Sequence, residues 1–113
     1  PWRVLYHPDF DAERRELGED VADKLREAVL ALAEIGPQLG RPLVDTLKGS
    51  KHSNMKELRI GLKRVALVFA FDPERQAVIL CGGNKAGGSQ DRFYRRLVEI
   101  ADERFDEWLE SED

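Results

Sequence analysis

The run Val65 to Phe71 constrains this chain more than any other feature: seven consecutive residues with no polar side chain among them. It is far too short to span a bilayer, which takes roughly 18–20 apolar residues. A strand facing water on one side would alternate, and this one does not. The segment Arg64 to Asp72 therefore reads as a central strand covered on both faces. Around it the sequence places two more strands. Asn54 to Ile60 precedes it across Gly61-Leu62-Lys63, and Gln76 to Cys81 follows a turn at Asp72-Pro73-Glu74-Arg75, where proline is well placed. These three form an antiparallel meander.

Helical signals flank the meander. Val21, Leu25, Ala28, Val29, Leu32 and Ile35 fall on one stripe, and Gly36-Pro37 ends that helix. Phe93, Leu97, Ile100, Ala101, Phe105 and Trp108 form a second stripe on a last helix capped by Ser89. At the front, Trp2 to His7 reads as a short strand, and Asp9 as the N-cap of a helix reaching about Leu17. Residues 38–53 lack periodicity and read as an irregular crossing loop, with room for a helical turn near Val44 to Leu47. Gly82 to Gly88 reads as a flexible loop that does not match a Walker A motif. The expected class is α+β in one domain over residues 1–113, in the order strand, helix, helix, three-stranded meander, helix.

A net charge of −4 argues at first against a polyanionic partner, but its distribution is uneven. From Arg41 to Arg96 there are 12 Lys and Arg against 5 Asp and Glu, whereas the flanks hold 6 against 17. A polyanion responds to the local field rather than to the total. The competing reading gives the acids to solvated helices and the bases to a sheet by chance. The single cysteine, Cys81, cannot form an internal disulfide and reads as a small core residue rather than a nucleophile. With no secretory pattern at Pro1-Trp2-Arg3, the expected home is the cytoplasm, with no membrane partner. His7 and His52 show no metal-ligand spacing, so neither a metal nor another cofactor is expected.

An ordered set of segments resembles a known family. It comprises Asp45-Thr46-Leu47-Lys48-Gly49, Asn54-Met55-Lys56-Glu57-Leu58-Arg59, and Arg64 opening the apolar strand. Phe69-Ala70-Phe71-Asp72-Pro73, Gly82-Gly83-Asn84-Lys85 and Phe93-Tyr94-Arg95-Arg96-Leu97 continue it. Together they resemble the phage-derived, HigB-like branch of the RelE/ParE toxins of type II toxin–antitoxin pairs, over nearly the whole chain. The resemblance implies a RelE-like fold and a ribosome-dependent, metal-independent endoribonuclease that cuts mRNA and inhibits translation. It also implies a cognate antitoxin, often a helix-turn-helix DNA-binding protein. Arg64 matches the family's strand-opening arginine, Lys85 its late basic position, and Tyr94 its tyrosine. The family's paired strand bases do not carry over, because Met55 and Glu57 stand in their places. A non-catalytic binder is the alternative, either poisoning gyrase by contact, as ParE-type relatives do, or binding only an antitoxin.

Cutting RNA without metal needs a base for the 2′-OH, positive charge on the phosphorane and an acid for the leaving oxygen. Strand parity puts Met55, Glu57 and Arg59 on one face and Lys56, Leu58 and Ile60 on the other. Glu57 then reads as a base with Arg59 and Arg64 as phosphate clamps, or all three form a cross-strand surface ion network in which Arg64 pairs with Glu57. Lys85 either meets phosphate from its Gly-rich loop or is an ordinary loop lysine. Tyr94, at the edge of the last helix's stripe, either stacks an RNA base or packs with its hydroxyl bonded. Lys48, Lys51, Lys56, Arg59, Lys63 and Arg95 are the candidate RNA-binding bases. His52 reads as a plain loop histidine, with proton transfer near neutrality as the alternative.

Overall fold

The computed structural model describes residues 1–61, 64–85 and 88–112. In chain order these form β1 (Arg3–Tyr6), α1 (Pro8–Arg14), α2 (Glu19–Ile35), β2 (Val44–Thr46), β3 (Met55–Ile60), β4 (Val65–Asp72), β5 (Gln76–Asn84) and α3 (Gln90–Ser111). The strands make one five-stranded sheet in the order β1-β5-β4-β3-β2. The expected antiparallel meander is β3-β4-β5, and β1 joins its outer edge parallel to β5.

The apolar run on β4 is central and covered on both sides, as its lack of alternation requires. Ala66, Val68 and Ala70 face α3 and pack with Met55, Leu80, Leu97, Ala101 and Phe105. Leu67 and Phe69 face α1 and α2 and pack with Phe10, Leu25, Leu32, Leu58 and Ile79. Each helical stripe read from the sequence thus finds one face of the same sheet.

Several local expectations change. Val44–Thr46 is an edge strand rather than a helical turn; Val44 is buried opposite Leu58. Three residues are too few to leave a period-2 signal. α1 starts at Pro8 and ends at Arg14, and its cap is His7, whose Nδ1 accepts the Asp9 N–H at 3.1 Å. β5 continues through Gly82 and Gly83 to Asn84 instead of stopping at Cys81. Glycine signals a loop when read locally, but here its bareness serves packing. A Cβ on Gly83 would lie 2.9 Å from Phe93 Cε1, so α3 can approach the strand only because no side chain intervenes. The register of β5 against β4 shifts between Val68 and Phe69, so that Leu80 and Cys81 both join the cluster under α3.

The far end of α3 is tied to the β4–β5 turn. Asp72 accepts hydrogen bonds from Trp108 Nε1 (2.9 Å), Gln76 Nε2 (2.8 Å) and the Glu74 N–H (2.9 Å). Burial would raise the Asp72 pKa, but the bonds from Trp108 and Gln76 outweigh it and hold the carboxyl below its ordinary value. A depressed carboxyl contributes stability that is full above its unfolded pKa and is lost as pH falls through the folded value. Asp72→Asn, which turns an amide toward two donors, is expected to cost about 1–3 kcal/mol at neutral pH. Denaturant unfolding at neutral and acid pH checks this: the gap between wild type and variant should narrow in acid. A constant gap would exclude the charge as its origin.

Candidate functional site

The candidate residues gather where β3, the start of β4, the end of β5 and the first turns of α3 meet. Parity holds on β3: buried Met55 packs in the cluster under α3, while Leu58 and Ile60 pack against the helical hairpin. Glu57 shares the α3 side and is only 6% exposed. Its Oε1 lies 3.2 Å from Arg59 Nη2, whereas Oε2 is buried with no hydrogen-bond partner. The same Arg59 Nη2 donates to the Tyr94 hydroxyl at 3.3 Å. Glu57, Arg59 and Tyr94 thus form one group across the sheet–helix boundary. Burial pushes the Tyr94 phenol above its ordinary pKa and the Glu57 carboxylate adds to this, against an opposing pull from Arg59. The phenol keeps its proton and is a donor rather than a base.

Lys85 joins the group, and Arg64 is tied to it through the backbone. The Lys85 ammonium sits 5.4 Å from the centroid of the Tyr94 ring, and the Lys85 N–H donates to the Arg64 carbonyl at 2.8 Å. Arg64 is exposed and makes no ion pair among the described residues. The expected pair between Arg64 and Glu57 is not formed. Glu57 lies opposite Val68, four residues into the strand from Arg64, and takes its neighbour Arg59 instead.

The RNA-binding candidates divide. Lys48 and Arg95 line a hollow of about 460 Å³ beside Tyr94, together with Asp91, Val98, Glu99 and Asp102. Lys56 lies on the other face of β3, its Nζ 3.3 Å from Thr46 Oγ1, and does not join the group. Lys51 is ion-paired with Asp106 on α3, a bond that raises its pKa, and its N–H donates to Asp102 at 3.2 Å. Lys51 is therefore a loop anchor rather than an open cation. Lys63 lies outside the described residues. His52 shares the anchoring role: Nε2 is 2.9 Å from Asp106, and its ring meets the edge of Phe105. Cys81 is buried with its thiol pushed up to about 12 by desolvation, which suits packing and not nucleophilic attack.

Two features escaped the sequence reading. Asp91 and Glu99 stand four residues either side of Arg95, a helical spacing that puts them on the hollow's wall. The other is a cluster of His7, Asp9 and Glu107, whose potential ligand atoms lie within 4.8 Å of one another although 100 residues separate their ends. There His7 Nδ1 is occupied by the Asp9 N–H, and Arg104 Nε lies 3.8 Å from Asp9 Oδ2. Arg104 also bonds Glu13 Oε2 at 2.6 Å and the Leu80 carbonyl at 2.7 Å. A guanidinium already supplies the positive charge, and the cluster reads as a clasp between α1 and α3.

Chemically, the group holds a buried carboxylate oxygen that lacks a donor, cations beside it, and a phenol that retains its proton. That set can accept a proton, stabilise a developing oxyanion and donate a proton. No helix among the described residues is long and apolar enough to cross a membrane.

Comparison with known proteins bears on the family and the fold. Residues 12–106 match the family model described as phage-derived protein Gp49-like. Two Mycobacterium tuberculosis proteins are similar in sequence. One, named "Putative toxin HigB2", is 52% identical over 85 residues, which is 73% of this chain and 42% of that protein. The chain thus spans less than half of that relative's length. The other, named "Putative toxin HigB3", is 45% identical over 109 residues, covering 96% of this chain and 95% of that protein. The crystal structure of the isolated E. coli RelE toxin superposes with a TM-score of 0.63 at 17% identity, over 86% of this chain and 99% of that one. The archaeal RelE–RelB complex from Pyrococcus horikoshii gives 0.58 at 17% identity, over 77% and 98%. At that identity the structures speak for the fold, which is RelE-like.

Proposed function

From the premise that this chain belongs to the phage-derived Gp49-like family of HigB-like, RelE-superfamily toxins, we propose that it cuts mRNA in the ribosome without metal. The observation that carries the reading is Glu57 Oε2: buried, lacking a donor, and flanked by Arg59 and Tyr94. Leaving such an acceptor unpaired costs free energy, and a substrate hydroxyl admitted by displacement of a covering side chain would satisfy it.

In this mechanism Glu57 takes the proton of a ribose 2′-OH, and the 2′-oxygen attacks the adjacent phosphorus. The bond from phosphorus to the 5′-oxygen breaks, leaving a 2′,3′-cyclic phosphate. The departing oxygen takes a proton from the Tyr94 hydroxyl. Arg59, Arg64 and Lys85 offset the charge that builds on the phosphorane. The ribosome holds the message, so the toxin supplies only part of the positioning.

The antitoxin partner follows from the same family, and the archaeal relative was solved as a RelE–RelB complex. Leu30, Ile35 and Leu43 are 70%, 47% and 46% exposed, and Leu43 lines a largely apolar hollow between α2 and β3. That apolar surface lies on the helical-hairpin side rather than on α3. It suits an amphipathic segment of an antitoxin, and it is also the feature that a purely binding protein would show.

One reaction tests both parts. Purified protein with 70S ribosomes and a chelator should cut a defined message, leaving cyclic phosphate ends, and adding the product of the neighbouring reading frame should stop it. A message that stays whole would reject the nuclease in favour of the binder. Cleavage indifferent to the neighbour's product would reject that product as antitoxin.

A further inference from the structure

The hollow beside Tyr94 is lined by charges of both signs, and all but Asp102 are uncommitted. Lys48, Asp91, Arg95 and Glu99 all line it, yet none of the four makes an ion pair among the described residues. Asp91 and Glu99 each stand at i,i+4 from Arg95, an arrangement in which opposite charges can pair. Elsewhere on the surface Asp11 pairs with Arg15 at this spacing, and Asp11 with Arg14 and Lys24 with Glu27 pair at i,i+3. The floor is Val98, nearly buried, and Tyr94 stands at one end. The loop carrying Lys48 is fixed to α3, because Asp102 accepts from Ser50 Oγ at 2.5 Å and from the Lys51 N–H. The wall opposite the helix is thus held in place.

A ligand that satisfies such a hollow needs anionic groups, hydrogen-bond donors and a flat apolar body. A nucleotide has all three: phosphates for Lys48 and Arg95, a base edge for the carboxylates, and a ring to lie over Val98 and Tyr94. The volume of about 460 Å³ is of the size such ligands occupy. The carboxylates then choose among the bases. Guanine presents two adjacent donors, N1–H and the 2-amino group, which match the two oxygens of one carboxylate. Adenine and cytosine put a ring-nitrogen acceptor beside the amino group, and uracil flanks its N3–H with carbonyls; a carboxylate repels these lone pairs.

We infer that this hollow is a nucleobase subsite selective for guanine in single-stranded RNA, next to the scissile phosphate. The inference rests on the nuclease reading for its placement along the substrate, but the preference can be measured without ribosomes.

The test is equilibrium binding of short single-stranded RNAs to the full chain, comparing a central guanine with inosine, which lacks only the 2-amino group. Guanine should bind about tenfold tighter, the discrimination that one bidentate contact gives. In the double variant Asp91→Asn, Glu99→Gln the ratio should fall to near one. A ratio near one in the wild type, or an unchanged ratio in the variant, would overturn the subsite. RNA cleavage on ribosomes is scored separately. Cleavage without guanine preference rejects the subsite alone, and guanine preference in binding without any cleavage rejects the nuclease alone.

Discussion

Arg64→Ala is expected to remove growth inhibition and nearly all message cleavage while leaving the fold intact. The guanidinium is exposed and makes no ion pair among the described residues, so its loss leaves no partner stranded. Surface changes of that kind usually move stability by no more than about 0.5 kcal/mol. Its carbonyl, which accepts the Lys85 N–H, is unaffected by the change. Removing one preorganised positive group from a developing phosphorane is worth about 10²–10³ in rate. Single-turnover cleavage on ribosomes, with circular dichroism and thermal unfolding alongside, checks both halves. Wild-type cleavage by a folded variant would remove Arg64 from the site, and an unfolded variant would show that the side chain carries structure instead.

Glu57→Gln separates catalysis from stability more sharply, because the two should not move together. Glutamine keeps the shape and an oxygen for Arg59, but it cannot take the 2′-OH proton. Loss of a general base costs about 10²–10⁴ in rate. Folding gains on one count, since a buried carboxylate with an unpartnered oxygen is replaced by a neutral amide. The denaturant midpoint should therefore hold or rise while cleavage collapses. If the midpoint falls, the carboxylate is there to anchor Arg59 and Tyr94. If cleavage persists, some other group is the base.

Much of this architecture can be read in the sequence because its strongest signals are global. An apolar strand without alternation must be central, and two long amphipathic stripes must each find a face. What escaped is short or depends on distance. β2 has three residues, too few for any periodicity, and owes its existence to Val44 packing opposite Leu58. The end of β5 is hidden by two glycines whose bareness admits Leu67 at Gly82 and Phe93 at Gly83.

At the site, strand parity placed Glu57 and Arg59 together and put Lys56 behind the sheet. Parity does not fix how far along the ladder two residues stand. Glu57 and Arg64 therefore looked like neighbours when Val68 is the true opposite number. Lys51 and His52 are bound to Asp106, more than fifty residues away, which no local pattern announces. Lys48 and Arg95 do flank one hollow, but its acids belong to a helix face outside the apolar stripe.

The bare backbone at Gly83 has a mechanical corollary. α3 is moored at its C-terminal end by Trp108 on Asp72 and lies against Gly83 near its other end through Phe93. Tyr94 is the next residue, so the aperture between phenol and carboxylate is set by an atom that is not there. A methyl group at that point would act as a wedge near the free end of a lever whose fulcrum is the Asp72 mooring. It would prise the aromatic hydroxyl from Arg59 and Glu57 while the rest of the helix stayed seated.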